Sequence, residues 1–171
     1  MSKRTYLRFF SLLLALTLLF AVPVAAAEED VVIVLDPGHG GMDSGISMKY
    51  DGAEVWESNL CLKIAGYCRD YLLENYDNVT VYLTRETDKK VSLEDRVEFA
   101  KSVGADYVLS IHINGDDGYA RGALAIVPRS RYHAEQGKAS KVTAEACLEE
   151  LTALGMKNLG TTVQLGDNRD P

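Results

Sequence analysis

The apolar positions of the first half of the chain follow two patterns, short continuous runs and a longer stretch with helical spacing. Residues 31–35 form a continuous β-branched and apolar run, typical of a strand buried on both faces. Between residues 57 and 76 the apolar side chains recur every three or four positions, which predicts an amphipathic helix beginning at Glu57. Residues 79–83 predict a second strand. Ser92 resembles the cap of a further helix that ends near Gly104.

The second half of the chain continues the alternation of strands and helices. A polar, glycine-rich segment from Asp36 to about Val55 predicts a long loop after the first strand. The alternation of strands and helices along the chain indicates an α/β fold. We expect a single domain with a mostly parallel twisted sheet and crossover helices on both faces. The remaining predicted elements are strands at 106–111, 122–127 and 161–165 and a long helix at 134–154.

The N-terminus has the pattern of a secretory signal peptide. Lys3, Arg4 and Arg8 precede an apolar run of about 14 residues, which is shorter than the roughly 20 residues of a membrane-spanning helix. A small-residue stretch ends at Ala27. We therefore expect residues 1–27 to be cleaved and residues 28–171 to be exported to the periplasm or the extracellular cell wall, with no membrane attachment afterwards.

The acidic balance of the chain excludes some classes of partner. Loss of residues 1–27, which contain three basic and no acidic residues, lowers the formal net charge from -7 to about -10. Nucleic acid and anionic membranes are therefore poor candidate partners.

The three cysteines do not predict a disulfide between neighbours. Cys61 and Cys68 are seven residues apart on one predicted helix, about 10 Å along its axis, which is beyond the reach of a disulfide. We interpret both, and Cys147 in the later helix, as small buried hydrophobic residues.

Two histidines and a glutamate are expected to meet at one edge of the sheet. His39 lies four residues past the first strand and His112 lies at the end of the third, and active sites of parallel α/β sheets gather beyond these carboxyl ends. The helix opened by Glu57 starts from the same side. Two imidazoles and one carboxylate form the ligand set of a catalytic zinc site. Gly38, Gly40 and Gly41 carry no side chains, so the backbone and the metal could approach each other closely.

Alternatives remain for several polar residues. Glu54 competes with Glu57 as the carboxylate ligand. Asp36 has two interpretations, a cap of the loop through backbone hydrogen bonds and an acceptor that orients a ligating histidine. Asn114 is interpreted as a turn residue or a hydrogen-bond donor to substrate, and His133 as a solvated surface residue.

Five motifs follow one another along the chain. They are Asp-Pro-Gly-His-Gly-Gly at 36–41, Glu-Ser-Asn-Leu-Cys-Leu-Lys-Ile-Ala at 57–65, Thr-Arg-Glu-Thr-Asp at 84–88, Ser-Leu-Glu-Asp-Arg at 92–96 and Ala-Asp-Tyr-Val-Leu-Ser-Ile-His-Ile-Asn at 105–114. In this order and spacing they resemble the zinc-dependent N-acetylmuramoyl-L-alanine amidases of the type-3 amidase family. The resemblance covers nearly all of the chain from residue 28 to about Val127, with a weaker match beyond. It implies that His39, Glu57 and His112 bind one zinc ion, which favours Glu57 over Glu54.

The resemblance also implies a reaction and a substrate. Members of this family hydrolyse the amide between N-acetylmuramic acid and the L-alanine of the stem peptide in peptidoglycan, with a water activated by zinc. Their general base is a glutamate on a late strand, and we expect its counterpart, with a closing helix, beyond Pro171. The 171-residue sequence is therefore expected to be truncated at its C-terminus, and the polypeptide to bind zinc but to hydrolyse poorly or not at all.

Two other functions fit the same residues. One is a cell-wall binding or regulatory module that binds zinc but is catalytically inactive. The other is a zinc hydrolase of similar fold that acts on a different amide.

Overall fold

The computed structural model describes residues 30–113, 121–128 and 134–163. The predicted signal peptide lies outside this range. The described residues belong to two compact units, one within residues 1–113 and the other within residues 114–171. The elements of the first unit are β1 (Val31–Pro37), β2 (Ser47–Tyr50), β3 (Ala53–Trp56), α1 (Glu57–Asn75), β4 (Val79–Leu83), α2 (Leu93–Ser102) and β5 (Tyr107–Ile111).

A parallel three-stranded sheet forms the centre of the first unit, with the order β4-β1-β5. β1 pairs with β4 from Val31 opposite Val79 onward. On its other side β1 pairs with β5, up to Pro37 opposite Ile111. From β1 the chain moves to β4 and then back across β1 to β5. The connections therefore reverse direction beside β1, and at such a point the carboxyl ends of parallel strands form a crevice.

Helices cover both faces of this sheet. Leu83 packs with Leu35 and Ala65 of α1 in the buried core. Its neighbour Tyr82 points to the other face, as alternate strand residues do, and its ring meets Phe99 of α2 edge to face at 6.2 Å. This confirms the predicted α/β class with parallel strands and crossover helices.

The segment predicted as a continuous loop contains a β-hairpin, so that prediction was wrong over residues 47–56. β2 and β3 pair antiparallel, with Tyr50 opposite Ala53. Asp51 and Gly52 between them both have positive φ, 49° and 76°, the backbone of a type I′ turn. This turn twists in the same sense as the strands, which is why a polar, glycine-containing segment forms a hairpin here.

The second unit is a β-α-β element. It consists of β6 (Ala123–Val127), α3 (Ala134–Ala153) and β7 (Asn158–Val163). β6 and β7 pair in parallel, and Val127 and Leu148 are buried. β7 begins three residues earlier than the strand predicted at 161–165. The single domain expected from the sequence would contain both units, and it stays a prediction.

The described helices contain no membrane-spanning segment. None of them is long and apolar enough to cross a bilayer. No disulfide joins the cysteines, which agrees with the spacing of Cys61 and Cys68 on α1.

Candidate metal centre

His39 reaches the carboxyl edge of the sheet on a glycine-rich turn that follows β1. Its φ of 61° is unusual for a residue with a side chain, and such strain is often found at functional sites. Its Nδ1 lies 2.9 Å from Oδ1 of Asp43. Because a carboxylate only accepts, this contact selects the tautomer with the proton on Nδ1 and leaves Nε2 available to a metal.

Asp43 is held in this role by its surroundings. Its carboxylate also accepts the backbone N–H of Gly45 at 3.2 Å. The hydrogen bond from His39, followed by that from Gly45, keeps the pKa of Asp43 below its ordinary value. Asp43 was missed in the sequence, although an acidic residue four positions after a candidate ligand is a signal that could have found it.

Glu57 is the first residue of α1, as predicted, and is 4% exposed at its side chain. Its Oε1 accepts from the backbone N–H of Ile113 at 3.0 Å and its Oε2 from that of Ile46 at 3.1 Å. Burial alone raises the pKa of Glu57, but these two donors, with His112 and His39, outweigh burial and lower it. The helix N-terminus also favours the negative charge. Glu57 is therefore a carboxylate at neutral pH.

The loop before α1 is fixed to the helix end by its backbone. The N–H groups of Glu57 and Ser58 have no partners within the helix. They donate to the carbonyl oxygens of Ile46 at 2.9 Å and Ser44 at 3.1 Å. The position of Glu57 is thus coupled to the turn that carries His39.

His112 follows β5 directly and completes the group. Its Nδ1 lies 3.0 Å from Oε1 of Glu57, and its ring meets that of His39 edge to face at a centroid distance of 4.9 Å. Gly38 packs against it so closely that a Cβ on Gly38 would lie 2.3 Å from Cε1 of the ring. This is the close approach expected of the glycines. Gly40 and Gly41 make theirs to the backbone of Lys89 and Lys90.

The separations between Glu57 and the two histidines fit a tetrahedral zinc site. Their candidate ligand atoms all lie within 4.8 Å of one another. Zinc bonds of about 2.0–2.1 Å in tetrahedral geometry put ligand atoms about 3.3 Å apart. Oε1 of Glu57 lies 3.2 Å from Nε2 of His39 and 3.0 Å from Nδ1 of His112. The side chain of His112 is 47% exposed.

The other candidates have different positions. Glu54 lies in β3 opposite Lys49, outside the group. Asn114 and His133 lie outside the described residues. Asp36 accepts from the side chains of Thr84, Ser110 and Arg96. Its partners are therefore side chains rather than the loop backbone, and the acceptor for His39 is Asp43 instead.

Asp36 forms a buried ion pair beneath the site. Arg96 binds its Oδ1, and Thr84 donates to the same oxygen at 2.6 Å. Burial by itself raises the pKa of Asp36, but the hydrogen bonds from Thr84, Arg96 and Ser110 lower it overall. The charge on Asp36 is thus stabilised and in turn fixes Arg96.

Two buried arginines, Arg85 and Arg96, donate to the turn that carries His39. Arg96 donates to the carbonyl oxygens of Pro37 and His39, each at 2.8 Å. Arg85 donates to those of Pro37 at 2.9 Å and Gly38 at 2.7 Å. Sequence reasoning missed these contacts, because an arginine bound to backbone carbonyls leaves no pattern in the spacing of residues.

Comparison with known proteins identifies related sequences. A family profile described as N-acetylmuramoyl-L-alanine amidase (Amidase_3) matches residues 33–164. The N-acetylmuramoyl-L-alanine amidase CwlM of Bacillus licheniformis is 48% identical over 88 residues, which are 52% of this chain and 33% of that protein. The match thus spans about a third of the length of this relative.

Solved structures show the same fold. The catalytic domain of CwlV, an N-acetylmuramoyl-L-alanine amidase from Bacillus (Paenibacillus) polymyxa var. colistinus, superposes with a TM-score of 0.67 at 28% identity, covering 79% of this chain and 70% of that one. The amidase AmiC2 of Nostoc punctiforme gives a TM-score of 0.62 at 31% identity, covering 79% and 69%. With a profile match over most of its length, the chain belongs to the Amidase_3 family of N-acetylmuramoyl-L-alanine amidases.

Proposed function

We propose that this protein hydrolyses the amide between N-acetylmuramic acid and L-alanine in peptidoglycan, with one zinc ion bound by His39, Glu57 and His112. The observation that carries the proposal is the meeting of these three side chains, with ligand atoms within 4.8 Å, in a chain of the amidase family. The names of the related amidases support the choice of substrate.

The chemistry divides between the metal and the protein. Zinc, when bound, supplies a Lewis acid that polarises a carbonyl and lowers the pKa of water. Asp43 orients the ring of His39 by accepting from Nδ1, which leaves Nε2 as the ligand atom. Glu57 supplies one negative charge, stabilised by the N–H groups of Ile46 and Ile113. Glu57 is thus used as a metal ligand and Asp43 as the acceptor for His39. We therefore assign the general base to a carboxylate outside this group.

The test is release of stem peptides from purified sacculi. The full-length protein should release peptides with a free N-terminal L-alanine, detected by mass spectrometry, and a chelator should stop the release. His39→Ala and Glu57→Gln should lower the rate at least about 100-fold, the upper end of the loss caused by an outer-shell change. Glu54→Gln is the matched control and should keep wild-type activity, because Glu54 lies in β3, away from the group.

Other outcomes would contradict parts of the proposal. Unchanged release by His39→Ala would refute the zinc assignment. Loss of activity in Glu54→Gln, with activity retained in Glu57→Gln, would identify Glu54 and not Glu57 as the carboxylate ligand. Binding to sacculi without any release would identify a cell-wall binding module instead.

We also propose that the protein acts outside the cytoplasmic membrane. The signal-peptide pattern of residues 1–27 supports this location, and the proposed substrate is found there. N-terminal sequencing of the protein from the envelope or medium should begin at Glu28. Recovery of the intact N-terminus in the cytosol alone would contradict it.

A further inference from the structure

Among the charged residues that the structure describes in the first unit, Arg85 is the most deeply buried, at 1% exposure. Four of its N–H groups donate to backbone carbonyl oxygens. Nε binds Pro37 at 2.9 Å and Nη1 binds Thr87 at 3.2 Å. Nη2 binds both Gly38 at 2.7 Å and Ser58 at 2.8 Å. One guanidinium group therefore joins the turn after β1 to the first residues of α1.

These carbonyls belong to the neighbours of the candidate ligands. Gly38 directly precedes His39, and Ser58 directly follows Glu57. Gly38 also packs against the ring of His112, closely enough that a Cβ there would clash with it. Arg85 therefore fixes backbone groups that neighbour His39 and Glu57 in the sequence, and one of them, at Gly38, also contacts the ring of His112.

Arg85 differs from its neighbour Arg96 in its electrostatic partners. Arg96 pairs with the carboxylate of Asp36. Arg85 makes no ion pair with a carboxylate in the part of the chain that the structure describes. A buried cation without a paired anion is costly, and here the compensation comes from carbonyl dipoles at fixed positions.

We infer that Arg85 is a positioning residue of the metal centre, which holds His39, Glu57 and His112 at the separations that zinc requires. The inference rests on the proposed zinc site and adds a residue that does not itself bind the metal. The rigid, planar guanidinium fork suits this task, because it directs donors to several carbonyls at once. A lysine keeps the positive charge but places three donors on a single atom, so it cannot reach the same set of oxygens.

The experiment compares the full-length wild type with Arg85→Lys and with Arg69→Lys as a matched control. Arg69 lies on α1 and pairs with Asp70 at the surface. Zinc affinity is measured by competition with a chromophoric chelator, and ligand geometry by the visible absorption of the Co²⁺-loaded protein. Arg85→Lys should bind zinc about 10–100-fold more weakly, as is typical for loss of outer-shell support, with an altered Co²⁺ band. Arg69→Lys should stay within about twofold of wild type.

Wild-type zinc affinity together with an unchanged Co²⁺ spectrum in Arg85→Lys would overturn the inference. Arg85 would then be a structural cation only. If Arg85→Lys fails to fold, as judged by circular dichroism, the inference is tested on the wild type by hydrogen exchange with and without zinc. Coupling between two sites is reciprocal, so zinc should slow hydrogen exchange of the Arg85 guanidinium protons about tenfold in NMR spectra. An unchanged exchange rate would overturn the inference.

The two proposals fail in different ways. Absence of zinc binding by the wild type would refute the proposed function and this inference with it. Zinc binding by the wild type and equal binding by folded Arg85→Lys would refute only the role of Arg85.

Discussion

Gly38 lies directly against the ring of the candidate ligand His112. A Cβ at this position would lie 2.3 Å from Cε1 and 2.6 Å from Nδ1 of His112, so Gly38→Ala must displace the ring. We expect Gly38→Ala to weaken zinc binding at least about tenfold, the lower end of the loss for outer-shell changes. Competition with a chelator measures this.

The control for Gly38→Ala is the same exchange in α1. A Cβ on Gly66 would meet no atom within 4 Å. Alanine is favoured over glycine in a helix, so Gly66→Ala should raise the free energy of unfolding by about 0.5–1 kcal/mol and leave zinc affinity unchanged. Equal zinc affinity of Gly38→Ala and wild type would show that His112 does not need its observed position.

The buried pair formed by Asp36 and Arg96 predicts that a conservative substitution of Asp36 strongly lowers the free energy of unfolding. Asp36→Asn removes the charge that faces Arg96 in a buried setting. Leaving one member of a buried pair unmatched costs about 3 kcal/mol, which urea unfolding should detect. Asp70→Asn, at the exposed pair with Arg69, should cost less than about 1 kcal/mol. Similar losses in the two variants would contradict the importance of the buried pair.

The same carboxylate predicts a pH dependence of stability. The pKa of Asp36 is lower in the folded protein than its ordinary value. Its contribution is therefore complete above the unfolded pKa of about 3.9 and is lost as the pH falls towards the folded pKa. The free energy of unfolding of the wild type should decrease below about pH 4. Asp36→Asn should lack this component, and an equally steep decrease in the variant would assign it to other groups.

At the scale of elements, the stability of α2 depends on the residue that precedes it. Ser92 caps the helix, and its side chain accepts from the backbone N–H of Asp95 at 3.0 Å. Ser92→Ala should lower the free energy of unfolding by about 1 kcal/mol, a typical value for loss of a cap. Ser102→Ala at the other end, where the hydroxyl only donates to a carbonyl, should change stability by less than half of that. A smaller loss at Ser92 than at Ser102 would contradict the role of the cap.

The helices and parallel strands were predictable because burial imposes a period on their sequence. α1 begins at Glu57 as expected, and β1 needed only an extension to Pro37. The hairpin was missed because its strands are short and exposed, with no buried run. Its signal was local, since the dipeptide Asp51-Gly52 is a strong hairpin turn between alternating residues.

The meeting of the two histidines at the candidate site could be predicted, because both follow the carboxyl ends of strands. His39 and His112 follow neighbouring parallel strands, and topology alone brings them to one edge. The contacts that hold them could not be predicted in this way. Asp43 had only the signal of its spacing from His39, and its contact depends on the turn conformation. Of the carbonyls that Arg85 binds, those of Pro37, Gly38 and Ser58 are 27 to 48 residues away in the sequence.

At the scale of the whole molecule, zinc binding and folding should be coupled. The ligands come from the turn after β1, the start of α1 and the end of β5, which meet only in the folded chain. A ligand that binds only the folded state stabilises it by about 2.7 kcal/mol at a free concentration 100 times its dissociation constant. Added zinc should therefore raise the melting temperature, and a chelator should reverse the shift. His112→Ala should lose most of this response, whereas Glu54→Gln should retain it. An equal zinc-dependent shift in His112→Ala would place the bound metal elsewhere.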